Sequence, residues 1–190
     1  MKNAQIPILG FAAYSGTGKT TLLTKLIPIL KESGLSVGLI KHSHHNFEID
    51  KPGKDSFRLR EAGASPVMIV SSHRRAIITE FSNIHEPQLD EQLYAFDQSE
   101  LDLILVEGFK TESFPKIELY RPSLKKKLIF PNDGNIIAIA SDDKINLTPS
   151  NTDLLADEIA KLAIPPLLDI NKPDLIAEFI VKHFLGTQND

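Results

Sequence analysis

Apolar runs of strand length alternate with amphipathic stretches along this chain, a pattern expected of βαβ units that build a mostly parallel sheet. Ile6 to Ala13 reads as the first strand. Behind it, Leu22, Leu23, Leu26, Ile27 and Leu30 recur at helical spacing, Gly34 is placed to end the helix, and Pro28 should kink or shorten it. Val37 to Lys41 reads as the second strand and Lys54 to Ala62 as a short charged helix stopped by Gly63. Pro66 to Val70 and the β-rich run Arg75 to Phe81 lie close enough to form a hairpin turning on Ser71 to Arg74. Leu89 to Phe96 is helical, Leu101 to Val106 and Asn135 to Ala140 are apolar enough to be buried on both faces, and Lys116 to Tyr120 alternates like an edge strand. Leu167 to Ile170 reads as a late strand, Asp153 to Leu162 and Asp174 to Phe184 as two closing helices, and Gly186 to Asp190 as a disordered tail.

The first strand runs straight into Ala13-Tyr14-Ser15-Gly16-Thr17-Gly18-Lys19-Thr20-Thr21. A phosphate chain needs several backbone N–H groups turned inward, one flexible cation and one hydroxyl for Mg²⁺, and strand, glycine loop, Lys-Thr and helix supply them in that order. Gly16 and Gly18 let the backbone approach the anion, with the amides of Thr17 and Thr21 in the same turn; Lys19 reaches the β and γ phosphates and Thr20 ligates the metal. Ala13 stands where the strict phosphate-loop pattern has glycine, a mild departure because the residue is small. The expected fold is therefore α/β, a P-loop NTPase-like mostly parallel sheet flanked by helices with a small β-hairpin or edge extension. Residues 1–186 read as a single nucleotide-binding domain and 187–190 as a flexible tail.

Composition narrows this without naming a chemistry. A chain of 190 residues suits one domain with room for roughly five to seven strands. Its 21 basic and 25 acidic residues leave a net charge of −4, with no general attraction for nucleic acid or an anionic membrane, so neither is expected as a partner. The absence of cysteine excludes disulfides, thiolate metal sites and a cysteine nucleophile. The first residues lack a secretory pattern and no apolar run approaches the ~18 residues of a membrane span, so a cytoplasmic protein is expected.

Two further segments carry chemistry. Leu101 to Val106 delivers Glu107 to the carboxyl edge of the sheet, where its carboxylate would hold Mg²⁺ through a water or polarise an attacking one; Asp102 falls at the opposite end of that strand. The run Lys41 to Ser56 places His42, His44 and His45 ahead of Asp50, Lys51, Lys54 and Asp55, too ionisable for a core and so a surface loop. Lys41, Lys51 and Lys54 with His42 and His45 could gather a second phosphorylated ligand; the three imidazoles could hold a metal, although their spacing lacks the i, i+4 relation of a helical zinc pair; or the loop is simply solvated. Asp50 is a further Mg²⁺ ligand candidate. Lys110 and Lys116 follow Glu107 closely enough to reach the same pocket, and Lys125-Lys126-Lys127 reads as a solvated turn.

Together, Ala12 to Thr21, Lys41-His42-x-His44-His45, Asp50 to Ser56, Ala62-Gly63-Ala64, Leu103 to Lys110, Pro115 to Glu118 and Ile139 to Asp142 resemble the MobB family, from about residue 6 to residue 184. The resemblance implies GTP binding with Mg²⁺, weak GTP hydrolysis, a homodimer, and association with the molybdenum cofactor guanylyltransferase that joins GMP to molybdopterin, with molybdopterin itself a possible ligand. It puts the phosphate loop on Gly16, Gly18, Lys19 and Thr20 and the acidic strand end on Glu107. Guanine would be read either by Asn171-Lys172-Pro173-Asp174, which equally fits the start of a helix, or by Asp142 at the end of a buried strand. Two other functions stay open: a metallochaperone-type GTPase using the His42, His44 and His45 loop, and a small-molecule kinase, for which no arginine-rich lid is evident.

Overall fold

The computed structural model describes residues 1–43, 46–83 and 85–186, and divides into two compact units, Met1–His42 with Gln88–Asp190 and the intervening Ser43–Pro87. His44, His45 and the tail 187–190 lie outside the described residues. In the first unit, strands β1 (Ile8–Ala13), β2 (Val37–Lys41), β5 (Leu103–Glu107), β6 (Lys116–Tyr120), β7 (Ile136–Ser141) and β8 (Leu167–Asp169) form one six-stranded sheet in the order β2-β5-β1-β6-β7-β8. All five pairings are parallel.

Every residue of β1 is buried, because both of its edges are paired and both faces are covered. Leu9, Phe11 and Ala13 face one layer together with Leu103, Leu105, Ile117 and Leu119. Helix α1 (Lys19–Glu32) closes that layer with Leu22, Leu23, Leu26 and Leu30, and α6 (Pro173–Phe179), continuing as a wider π-type turn over Ile180–Leu185, adds Ile176, Ile180 and Phe184. Each buried leucine stabilises the packing by about 1.5–3 kcal/mol relative to exposure. The opposite face carries Ile8, Ile104 and Val106 under α3 (Leu89–Ala95), and Ala12, Ile139 and Tyr120 under the loop bearing Leu128 and Phe130. Gly10 is required on that face, since a Cβ there would meet the Phe114 ring at 2.6 Å.

Three sequence expectations change. Of the two effects expected of Pro28, it does not shorten α1, which runs on to Glu32 with the buried Leu26 and Leu30 pinning the turns on either side of it. The helix expected over Asp153 to Leu162 is replaced by two short pieces, α4 (Pro149–Thr152) and α5 (Ala156–Ile159), separated where Asp153 turns left-handed at φ 61°. Most consequential, β6 is no edge strand: it lies between β1 and β7, and Lys116 and Glu118 are buried on the face opposite α1, toward Phe114 and the loop bearing Leu128 and Phe130, at 1% and 0% exposure.

The second unit holds α2 (Asp55–Glu61) and a separate antiparallel hairpin of β3 (Val67–Val70) and β4 (Arg75–Ile78), as the pattern predicts, with Ser71 N–H closing the turn on Arg74. Among its described residues no apolar core forms: α2 buries none of its residues, while Phe47, Val70 and Phe81 are 60–70% exposed. Its polar framework is Arg60, which donates to Glu48 at 2.9 Å and Glu80 at 2.6 Å and lies over the Phe57 ring. No helix among the described residues is long and apolar enough to cross a membrane.

The buried charges of β6 are satisfied locally. The Lys116 ammonium donates to the Glu112 carbonyl at 2.6 Å and to Asp133 at 2.9 Å. Burial alone would raise the Asp133 carboxyl, but hydrogen bonds from Lys116 and Asn135 outweigh it and hold the group below its ordinary value. Glu118 accepts the Ile129 and Phe130 amides at 2.7 and 2.8 Å, so one carboxylate holds the whole loop after β6. Burial outweighs those two bonds and lifts its pKa from 4.5 to about 7. A raised carboxylate pKa stabilises the fold below the unfolded value and loses that contribution as pH rises through the folded one. We therefore expect the stability of the protein to fall between about pH 4.5 and pH 7 by a component on the order of 3 kcal/mol, and this component to be missing in Glu118→Gln. Urea unfolding of both proteins across that range checks it; parallel pH profiles would refute it.

Candidate functional site

Parallel strands bring all their carboxyl ends to one edge of the sheet, and the sequence-predicted chemistry of the first unit collects there. Beyond Ala13 the chain turns through Gly16 and Gly18 at φ 83° and 96°, backbone that a side chain would strain, and enters α1 at Lys19. Thr17 is buried and spends its hydroxyl on the Tyr14 carbonyl at 2.7 Å, closing the loop on itself. Gly18 caps α1 with no side-chain hydrogen bond, and the first turn of the helix contains no acidic residue. The leading amides of a 14-residue helix thus face outward with their partial positive charge uncompensated by a cap or first-turn acid, the geometry of an anion cradle. Thr20 and Thr21 are exposed at its mouth.

Glu107 closes the other side. It is the register partner of Phe11 in β1 and of Lys41 in β2, which fixes it beside the glycine loop. Its carboxylate is 14% exposed and lies 3.6 Å from the Lys19 ammonium and 3.3 Å from that of Lys41. Burial pulls the Lys19 ammonium below its ordinary pKa, an effect Glu107 opposes and the nearby Lys110 charge reinforces. Lys110 itself lies over the Tyr14 ring, 5.8 Å from its centroid. Among the described residues no three His, Cys, Asp or Glu side chains converge as a metal-binding group. A hard cation here would take Thr20 and Glu107 plus oxygens from its ligand, the arrangement Mg²⁺ tolerates.

The histidine segment is only partly part of this edge. The His42 amide donates to the Glu107 carbonyl at 2.8 Å and its ring stacks on Phe109 at 4.8 Å. Gly108, at φ 103°, lets that approach happen, since a Cβ would come within 2.6 Å of His42 Cβ. His45 lies outside the described residues, and Lys51, Lys54 and Asp50 belong to the second unit. There Asp50 is 7% exposed, accepts the Ser56 hydroxyl at 2.9 Å through one oxygen, and keeps its buried Oδ2 without a hydrogen-bond partner. Lys116 is not at the site at all, being committed to Asp133 and the Glu112 carbonyl near the other end of β6.

At the far side of the edge stand the two guanine-reading alternatives. Asp142 follows β7 and is paired with Arg121, while Asn171 follows the neighbouring β8 and Lys172 caps α6, with Pro173 opening that helix. Arg121 is the residue sequence reasoning passed over. It follows β6 by one position, and with β6 paired to β1 its Nε donates to the Thr17 carbonyl at 2.7 Å. A cleft of about 450 Å³ between Met1, Gln5, Pro7 and Phe114 opens at the amino ends of β1 and β6, away from the glycine loop, and none of the side chains that line it is charged.

Comparison with known proteins agrees with this arrangement. A model of the MobB family, described as molybdopterin guanine dinucleotide synthesis protein B, matches residues 8–142. The chain is 47% identical over 182 residues to the molybdopterin-guanine dinucleotide biosynthesis adapter protein of Escherichia coli (strain K12), covering 93% of each. It is 43% identical over 190 residues to that of Haemophilus influenzae (strain ATCC 51907 / DSM 11121 / KW20 / Rd), covering 98% of this chain and 96% of the relative. A crystal structure of molybdopterin-guanine biosynthesis protein B matches with a TM-score of 0.63 at 25% identity, covering 92% of this chain and 98% of the other. Bacillus subtilis MobB shares the fold with the same TM-score, 0.63, at 19% identity over 93% of this chain and 97% of its own. Strand order, glycine loop and sequence likeness therefore converge, and the chain belongs to the MobB family.

Proposed function

We propose that this chain is the GTP-binding adaptor of molybdopterin guanine dinucleotide biosynthesis, taking up Mg²⁺-GTP and assisting the guanylyltransferase that attaches GMP to molybdopterin. The observation that carries the reading is the uncapped start of α1 with Lys19 held opposite Glu107. The relatives named as adapter proteins of that biosynthesis supply the pathway. In this reading Gly16, Gly18 and Thr21 offer backbone amides to the phosphates, with Thr17, whose own amide donates to the Tyr14 carbonyl, holding the loop between them; Lys19 neutralises the β and γ phosphates, and Lys41 adds a second ammonium beyond Glu107. Thr20 and Glu107 hold Mg²⁺, and the sequence offers Asp50, in the second unit, as a further candidate ligand. Mg²⁺ supplies charge neutralisation of the triphosphate.

The histidine segment serves as an anion site for molybdopterin phosphate, a reading that rests on the sequence run containing Lys41, His42, His45 and Lys54. Lysines repel a divalent cation and attract phosphate, and the sequence has no cysteine to strengthen metal binding, which disfavours the metallochaperone reading. The protein acts as a homodimer in the cytoplasm, without nucleic acid or membrane as partner. Support for self-association is the second unit's exposed apolar side chains: a two-stranded hairpin is marginal alone, and Met68, Val70 and Ile77 are 55–70% exposed.

Lys19→Ala is expected to abolish Mg²⁺-GTP binding by calorimetry while leaving the thermal unfolding profile in place; equal affinities would end the nucleotide reading. Turnover of GTP by the isolated protein is expected to stay far below about one per second, because the sequence near Glu107 offers no arginine finger or well-placed glutamine and Glu107 is already bridged by two lysines. A phosphate-release assay giving tens per second would make this an enzyme in its own right. Val70→Glu should convert a dimer to monomer in light scattering, by placing a charge in the apolar contact; a dimer that persists unchanged moves the interface off the hairpin.

A further inference from the structure

Arg121 reaches the glycine loop from a strand that contributes nothing else to it. Its Nε donates to the Thr17 carbonyl at 2.7 Å, and its Nη1 is paired with Asp142 Oδ2 at the end of the next strand. The sheet register makes this possible: Ala13 pairs with Leu119 and Tyr120 with Ser141, so the residues just past three adjacent strand ends stand side by side. The Arg121 and Asp142 side chains are 28% and 25% exposed, and a half-solvated ion pair of that kind adds little to stability. Its geometry serves something else.

The peptide unit joining Thr17 to Gly18 is planar and trans, so its C=O and N–H point in opposite directions. With the Thr17 carbonyl turned out to Arg121, the Gly18 N–H is turned to the other side, into the cradle ahead of α1. Gly18, at φ 96°, has no Cβ to resist rotation of that plane, and a flip would present a carbonyl oxygen to the anion in place of a donor. The guanidinium lies close by, since a Cβ at residue 18 would be in ordinary van der Waals contact with Arg121 Nη2 at 3.4 Å. A guanidinium suits the task because its planar donors bind two partners at fixed angles, whereas an ammonium is a single rotatable point.

We propose that Arg121 is a positioning residue for the triphosphate, holding the Thr17–Gly18 peptide so that the Gly18 amide faces the phosphates, and that Asp142 anchors Arg121 instead of reading the base. This rests on the nucleotide-binding reading above. It makes the conformation of the glycine loop depend on the ends of β6 and β7, two strands that carry no ligand group of their own.

The test measures binding of Mg²⁺-GTP, inorganic triphosphate and Mg²⁺-xanthosine triphosphate to the full chain by calorimetry, with the Gly18 amide followed by NMR. Arg121→Ala should weaken GTP and inorganic triphosphate by the same factor, about tenfold for a lost charge-assisted hydrogen bond, and should abolish the ligand-induced shift of the Gly18 amide. Arg121→Lys should recover part of the affinity, which a purely structural loss would not. Asp142→Asn should weaken both ligands alike and gain nothing for xanthosine triphosphate. An Asp142 that reads guanine accepts its N1–H and amino group, so the amide variant would instead lose GTP alone and favour xanthine, whose position 2 is an acceptor; that outcome overturns the proposal. So does an Arg121→Ala protein with wild-type affinity and an unchanged Gly18 shift. If the wild type binds neither ligand, the nucleotide reading fails and this one with it; if the wild type binds both and Lys19→Ala does not, a silent Arg121→Ala defeats only the role of Arg121.

Discussion

The constraint on which the molecule depends is the complete burial of β1. Paired in parallel on both edges and covered on both faces, it can leave the sheet only at its carboxyl end, where the glycine loop begins. Every other group at that edge is positioned by its register against β1 or its neighbours: Glu107 opposite Phe11, Lys41 opposite Glu107, Arg121 one residue beyond the pairs that β6 makes. A slip of one residue would turn each side chain to the other face, so the apolar fill of β1 and β5 fixes the chemistry as firmly as the polar residues do.

Two lysine–carboxylate arrangements show how the same groups serve opposite ends. Lys116 is fully enclosed and tightly bound, its donors engaged at 2.6 and 2.9 Å. Its ammonium also lies 4.8 Å from the centre of the Phe114 ring. Lys19 faces Glu107 at 3.6 Å, with its charge destabilised by burial and by the Lys110 ammonium. A cation so loosely satisfied gains from an anion brought near, while Glu107, shared with Lys41, keeps it aimed until then. The energetic difference between a structural and a binding lysine lies in how completely the partners already present satisfy it.

The fold and the centre of the site were legible because both rest on patterns that are local in sequence. β1, β2 and β5, α1 and the hairpin follow from apolar period and turn residues, and Lys19, Thr20 and Glu107 from strand ends. β6 was misread for a physical reason: alternation of Lys116, Ile117, Glu118 and Leu119 signals a half-exposed strand unless distant residues neutralise the charges, and Asp133 and the Ile129 and Phe130 amides do so here. Arg121 was lost with it. Strand order is a non-local property, and a residue whose role depends on which strand lies beside β1 carries no signature in its own neighbourhood. The break at Asp153 escaped for a different reason, since a left-handed aspartate is permitted by the residue type without being demanded by it.

The second unit obeys another logic. Residues 43–87 hold together through Arg60 and its two glutamates, the Ser65–Glu80 contacts and a short hairpin, with apolar side chains left outside. A segment with so little buried apolar surface sits at the low end of the stability range within a chain and gains order from whatever covers it. Asp50 illustrates the consequence: a buried carboxylate oxygen with no hydrogen-bond partner costs free energy in the isolated unit, and a cation or donor arriving there would recover it. Where little apolar surface is buried, binding adds directly to stability, so any group that covers the described residues between Ser43 and Pro87 would stabilise that segment as it binds.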